Sequence, residues 1–450
     1  MTTTEPPVCL WPDPDALGPV TDLYQLTMMA GYHATGMADR PATFELFVRR
    51  LPPGRAYLVL AGLEQALGDL VRMAFSAEQV AWLADQPAFR SVDRGFFAWL
   101  AGLRFEGDVW AMPEGTVAFP GETLLRVEAP LAQAQWVETY LIAALNYPTL
   151  VASKAARIVG QARGRALFDF GARRGHGPHA GMLAARAAYL AGFDGTSHVE
   201  AARRVGMPAV GTMAHAWVQA FDSEAEAFAA FARVFPQAST LLVDTYDTPE
   251  GVLRAAAVEP PVSGVRIDSG DLDELSREAR RILDEAGRGP TKIVVSGDLD
   301  EWKIAELVSR GAPIDAFGVG TELVTSRDAP ALSMVYKLVA LDGAGRIKRS
   351  PGKRTYPLAK QVWRLRDGDG RFAGDHVTRH DEVSAGEPLL RRVVQRGRPA
   401  VPLPTIAAIR EHARAQLAAL PDRLRGLDAG PDYPVTYSDA LEDAAHRLGL

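Results

Sequence analysis

Cysteine is almost missing from this chain: one residue, Cys9, in 450. A single thiol excludes an intrachain disulfide and any cysteine-rich metal site, and it fits a reducing compartment. Long apolar runs are missing too, since none approaches the ~18 residues a membrane-spanning helix needs. The opening residues MTTTEPPVCLWPDPDALGP lack a basic segment followed by an apolar run, the mark of a secretory signal. Positive charge is not in excess: 49 Lys and Arg face 55 Asp and Glu, for a net charge of −6. That balance argues against bulk nucleic-acid binding, which needs a broad basic face. The expectation is a cytoplasmic protein with neither a membrane nor a nucleic acid as partner.

What is present is globular: 47% hydrophobic and 23% charged residues, over a length that exceeds one ordinary core. In the first 150 residues, Val80, Leu83 and Ala84 have helical spacing, and Gly107 to Val127 reads as strands broken by Pro and Gly. Gln133 to Leu150 reads as a buried helix. Then a rhythm begins. Short apolar runs recur at 166–170, 191–195, 208–212, 240–244, 264–268, 292–296 and 315–319, with amphipathic helices between several of them. Leu272, Leu275, Ala279, Ile282 and Leu283 share one helical face, with Gly287 placed as a cap. Phe228, Phe231 and Phe235 repeat the pattern, as do Trp302, Ala305 and Val308. Apolar strands alternating with helices indicate an α/β fold whose parallel sheet is covered on both faces. Periodicity leaves open whether seven units form an incomplete barrel or a doubly wound sheet. After Met334 the rhythm stops; strands are predicted at 334–341 and 361–365, and helices at 406–420 and 438–448. The predicted division is 1–150 and 334–450 as two parts of one α+β domain, with 151–333 as the barrel.

In parallel α/β folds, ligand groups gather where strands end. Here the seven run ends carry Asp169 and GARR, GTSH, GTMAH, DTYDT, DSGD, SGD and GVGTE. One such end is satisfied by turn and capping chemistry; seven with the same bias suggest the rim of a site. Gly318, Gly320 and Thr321, beside Ser296 and Gly297, are the natural phosphate cradle, because glycine lets backbone N–H groups approach an anion. Arg266 sits inside an apolar strand and shares a face with Asp268, so it needs an anion, either an internal one or a ligand carboxylate. His215 is a candidate nucleophile toward a phosphoryl group, because a neutral imidazole can attack one without a strong base. Local positive charge is concentrated at Arg173, Arg174 and His176, at Arg266, and at Lys353, Arg354 and Lys360.

Taken in order, the segments TDLYQLTM (21–28), FDFGARRGHGP (168–178), GTMAH (211–215), VDTYDT (243–248), VRIDSGDL (265–272), the GVGT turn, MVYKL (334–338) and GKRTYPLAKQ (352–361) resemble those of nicotinate phosphoribosyltransferases. The resemblance spans most of the chain. It implies an incomplete seven-stranded parallel barrel of the type II phosphoribosyltransferase kind, beside a mixed α+β domain. It implies nicotinate, phosphoribosyl pyrophosphate and ATP as substrates, with Mg²⁺. His215 would be transiently phosphorylated, Tyr24, Thr212 and Arg266 would surround nicotinate, and Asp268 would hold the ribose. Arg173 would lie near the donor, with Gly297, Gly318, Gly320 and Thr321 around its phosphate. It also implies a homodimer in which one subunit's tyrosine segment approaches the other's barrel.

Three positions depart from the family pattern: Gly175 and His198 stand where Ala and Asn are common, and Leu358 where Gly is usual. The Leu358 departure leaves the path of the basic loop open, and with it any role for Lys353 or Lys360. Metal ligands are not fixed either, since Asp268, Asp271 and Asp298 all qualify. The competing readings are a nicotinamide-using relative, whose aspartate near the amide has no counterpart among Val210, Gly211 and Thr212, and a barrel that binds phosphorylated ligands without catalysis. A sugar-phosphate aldolase would want a lysine at a strand end, and Lys154 and Lys337 lie elsewhere.

Overall fold

The structure, a computed structural model, describes residues 10–349, 355–428, 430 and 432–449. Lys353 and Arg354 lie outside them. The amino-terminal part contains α1 (Leu23–Ala34) and the strands β1 (Pro41–Val48), β2 (Asp108–Ala111) and β3 (Thr123–Pro130). Helix α2 (Glu138–Ala162) then leads to the parallel region. The expected helix at 133–150 is thus longer, and it is preceded by a short helix, Leu131–Trp136.

The parallel region runs as β4 (Ala166–Asp169), α3 (Pro178–Leu190), β5 (Gly195–Thr196), α4 (His215–Gln219), β6 (Thr240–Leu242) and β7 (Gly264–Ile267). It continues as α5 (Leu272–Glu285), β8 (Lys292–Ser296), α6 (Glu301–Ser309), β9 (Ala316–Val319) and α7 (Thr321–Val324). Its strands pair in the order β5-β4-β9-β8-β7-β6, all parallel. Fully apolar strands with buried faces are what such a sheet requires, and Val265, Ile267, Ile293, Val295, Phe317 and Val319 are completely buried.

Here one expectation needs correcting: among the described residues the sheet has six strands, not seven. The run at 208–212 makes a single bridge, Thr196 to Ala209. Pro208 has no N–H to extend a ladder, and beyond Val210 the chain turns away so that Thr212 and Met213 meet Arg266. No strand pairing joins this segment to β6, so the barrel stays open there. Another difference concerns α6. Its buried face is Ile304, Leu307 and Val308, while Trp302 is 41% exposed. Its ring faces the cations of Lys154 and Arg157 at 5.1 and 5.3 Å.

The other sheets draw on both ends of the chain. Strand β10 (Met334–Leu341) pairs antiparallel with β1, which pairs with β3, which pairs with β2. A second small sheet contains β11 (Lys360–Arg366) and β12 (Phe372–Arg379). Arg364 of β11, fully buried, holds the parts together through Asp375, the Val117 carbonyl at 2.8 Å and Gln416 at 2.9 Å.

Lys360 is not available to a ligand. Its side chain is 7% exposed, Nζ lies 2.7 Å from Glu45, and it donates to the carbonyls of Tyr356 and Leu358 at 2.8 and 2.9 Å. Burial pushes its pKa down, against the pull of Glu45. Leu358 itself has φ +69°, the left-handed region that suits glycine. The substitution therefore keeps the glycine path, at a strain cost of roughly 1–2 kcal/mol. Leu358→Gly is expected to hold or raise the chemical-denaturation midpoint, whereas truncating an unstrained half-buried leucine lowers it.

Candidate active site

The parallel register brings the carboxyl ends of the strands level. Ser296 pairs with Gly318, Gly318 with Phe168, and Val319 with Asp169. Five side chains meet there. Arg266, 12% exposed, donates through Nε to Ser296 Oγ at 2.8 Å and through Nη1 to Thr212 Oγ1 at 3.0 Å. Nη1 also reaches the Met213 carbonyl at 3.3 Å, and Nη2 reaches Asp268 Oδ1 at 2.8 Å. Its guanidinium lies 5.5 Å from the centre of the Phe170 ring. The internal partner of Arg266 is thus Asp268, and the planar fork is largely committed to holding the rim in place.

Asp268 also accepts from Ser296 Oγ. Burial works against its ionisation, but the bonds from Ser296 and Arg266, with His215 close by, outweigh it and hold the carboxyl below its usual range. Its negative charge is therefore retained through the neutral pH range. His215 opens α4 and its Nδ1 stands 3.2 Å from Thr245 Oγ1. Thr245 belongs to the DTYDT turn after β6, so this contact answers what orients the imidazole.

Glycine is required at two rim positions. Gly297 has φ +97°, and a Cβ there would run into the Asp268 carbonyl oxygen. A Cβ on Gly318 would enter the Phe170 ring. Gly297→Ala is expected to cost about 1–3 kcal/mol of strain, read by denaturant unfolding. An unchanged unfolding midpoint would count against this geometry.

Asp169 is fully buried; burial raises its pKa, offset in part by Thr196 and the Gly171 N–H. It ties the end of β4 to the turn Ala172–Arg174, on which Arg173 and Arg174 are exposed. Neither arginine side chain has a hydrogen-bond or ion-pair partner among the described residues. Tyr24 does not join the cluster. It lies 49% exposed on α1, where burial, then Glu138 and Asp22, push its pKa up to about 12.

Asp244 was legible only as part of its turn. Its Oδ2 accepts from the Asp268 N–H at 3.0 Å and Ser269 Oγ at 2.6 Å, while Oδ1 is buried without a partner. Among the described residues no group of three or more His, Cys, Asp or Glu side chains is spaced to hold a metal. Asp271 caps α5 through the N–H groups of Asp273 and Glu274, and Asp298 is exposed. What fits Mg²⁺ is the arrangement in which one or two carboxylates, here Asp244 and Asp268, are completed by substrate phosphates.

Residues 20–146 match the nicotinate phosphoribosyltransferase N-terminal domain, 166–371 the nicotinate phosphoribosyltransferase family, and 383–445 the C-terminal domain. A nicotinate phosphoribosyltransferase of Mycobacterium tuberculosis, pncB2, is 48% identical over 436 residues, covering 95% of this chain and 93% of its own. The Bacillus subtilis nicotinate phosphoribosyltransferase is 37% identical, with 94% of each chain covered. The crystal structure of human nicotinic acid phosphoribosyltransferase superposes with a TM-score of 0.83 at 31% identity, covering 96% of this chain and all of that one. That of a nicotinate-nucleotide pyrophosphorylase from Pyrococcus furiosus gives 0.74 at 28% identity, covering 91% and 97%.

Proposed function

The chain belongs to the nicotinate phosphoribosyltransferase family, and from that membership we propose that it couples ATP hydrolysis to the joining of nicotinate and a phosphoribosyl group. The products are nicotinate mononucleotide and pyrophosphate, in the salvage of NAD. The observation that carries this reading is the single network in which Arg266 ties Thr212, Ser296 and Asp268 together beside His215.

Phosphoribosyl pyrophosphate places its 5′-phosphate at Gly297 and at Gly318, Gly320 and Thr321, where backbone N–H groups face the anion. Arg173, exposed and unpaired, meets the pyrophosphate. Asp268 holds the ribose hydroxyls, and its charge favours the cationic character that C1 acquires as pyrophosphate departs. Asp244 and Asp268 would hold Mg²⁺ together with the donor's phosphates, and the ion would there supply charge neutralisation for the departing pyrophosphate. Thr212 and the remaining Nη2 hydrogen of Arg266 orient the nicotinate carboxylate so that the ring nitrogen faces C1. The γ-phosphoryl group of ATP passes to His215 Nε2, the nitrogen not engaged with Thr245, as ADP leaves; the added charge shifts the site between states, and water later cleaves the P–N bond to release phosphate and free the imidazole. A homodimer supplies Tyr24 to the partner's site, consistent with its exposure. No helix of the described residues is long and apolar enough to cross a membrane, and a cytoplasmic location is part of the proposal.

Product analysis with nicotinate, phosphoribosyl pyrophosphate, Mg²⁺ and ATP, run beside nicotinamide, tests the reading. Nicotinate mononucleotide is the expected product; preferential use of nicotinamide would reassign the base. Thr212, a hydroxyl with no neighbouring carboxylate at 210–212, favours the acid over the amide.

A further inference from the structure

Behind the proposed phosphate cradle lies a buried ion cluster that the mechanism above does not use. Helix α2 presents Tyr147 and Lys154 seven residues, or two turns, apart and therefore on one face. The Tyr147 hydroxyl donates to the carbonyl of Val324, the last residue of α7, at 2.6 Å. Lys154 Nζ lies 2.6 Å from Glu301 and 2.8 Å from Asp328. Arg157 donates to Glu301 at 2.9 Å, and Arg55 reaches Asp328 at 3.1 Å and Ser326 at 3.3 Å. The Lys154 and Glu301 side chains are both 0% exposed.

The position of these partners matters. Glu301 is the first residue of α6, just after the turn that carries Ser296 and Gly297. Ser326 and Asp328 follow α7, whose first residue is Thr321. One face of α2 therefore grips the far side of both turns proposed to hold the 5′-phosphate. A buried ion cluster is a poor way to gain stability, because desolvating the charges offsets their attraction, but it fixes geometry well. Three cations here meet two carboxylates, so the cluster keeps a positive bias beneath an anion site.

We propose that Lys154, with Glu301 and Asp328, is a positioning clamp that sets the spacing of the Ser296–Gly297 and Gly318–Thr321 turns for the donor's 5′-phosphate. The proposal rests on the reading of those turns as the phosphate cradle. The test is steady-state kinetics on the full chain, with thermal unfolding followed in parallel. Lys154→Met is expected to raise the KM for phosphoribosyl pyrophosphate about tenfold, below the ~10²-fold that a full 1 Å misplacement can cost. The nicotinate KM should change less than about twofold, and Lys154→Arg should restore most of the donor KM. Tyr147→Phe removes the hydroxyl bond to the Val324 carbonyl and the longer one, 3.3 Å, to the Ala180 carbonyl; it should shift the donor KM in the same direction, which keeps the test alive if Lys154→Met does not fold. A folded Lys154→Met or Tyr147→Phe protein with wild-type donor KM, or with both KM values raised equally, overturns the clamp. Thr321→Val separates the two ideas. If it leaves the donor KM unchanged, the cradle reading fails; if it raises the donor KM while the Lys154 and Tyr147 variants do not, the clamp alone fails.

Discussion

Replacing His215 with alanine is expected to abolish ATP stimulation of nucleotide formation while slow, ATP-independent transfer remains. The rest of the rim is untouched by the change: Arg266 keeps Ser296, Thr212 and Asp268, and the glycine turns keep their backbone. What is lost is the imidazole whose Nδ1 faces Thr245 and whose other nitrogen is the one we propose to be phosphorylated. A phosphoryl group there adds nearly two negative charges close to Asp268, whose ionisation already responds to His215. In the proposed cycle that repulsion would drive the shift between a loaded and an open state. A fall of roughly 10²-fold in ATP-supported kcat/KM is expected, the lower end of what loss of a catalytic group costs. Incubation with γ-labelled ATP should give an acid-labile, base-stable phosphoprotein with the wild type and none with His215→Ala. Full ATP-coupled turnover by the variant would remove His215 from the mechanism.

Arg266→Ala should damage nicotinate use most, and its effect should extend further than a lone carboxylate contact predicts. A charge-assisted hydrogen bond contributes about 1.5–3 kcal/mol, so the nicotinate KM should rise about 10- to 100-fold. Because Nη2 also holds Asp268 and Nε holds Ser296, the same change releases the ribose-facing carboxylate, and donor use falls as well, by a smaller factor. Arg266→Lys keeps the charge but not the fork, and should recover little of the loss. If the donor KM rises while the nicotinate KM does not move, Arg266 serves only to hold Asp268.

Much of the parallel region was legible because its cues are local. Val265 and Ile267 flank Arg266 in a short apolar strand, and α5 shows the predicted face with Gly287 at φ +72° behind it. The strand at 334–341 was legible for the same reason. The run at 208–212 was not, because its apolar residues suit a strand while Pro208 and the pull of Arg266 take it out of the ladder. Lys360 reads in the sequence as part of the positive charge of the basic loop; only the fold puts it beside Glu45. Tyr24 was placed near nicotinate by family pattern, yet within its own chain its neighbours are Asp22 and Glu138.

The order of strands and helices, and the crowding of Gly, Ser, Thr and Asp where strands end, were determined by the sequence alone. Both follow from interactions between residues a few positions apart, which periodicity and turn chemistry report directly. Which of those polar groups share a network was decided by the tertiary structure. Thr212 and Arg266 are 54 positions apart, Lys154 and Asp328 are 174 apart, and Lys360 and Glu45 are 315 apart. No local pattern specifies such pairs; they form because burial leaves each charge or donor no water, only the partner that packing brings within reach.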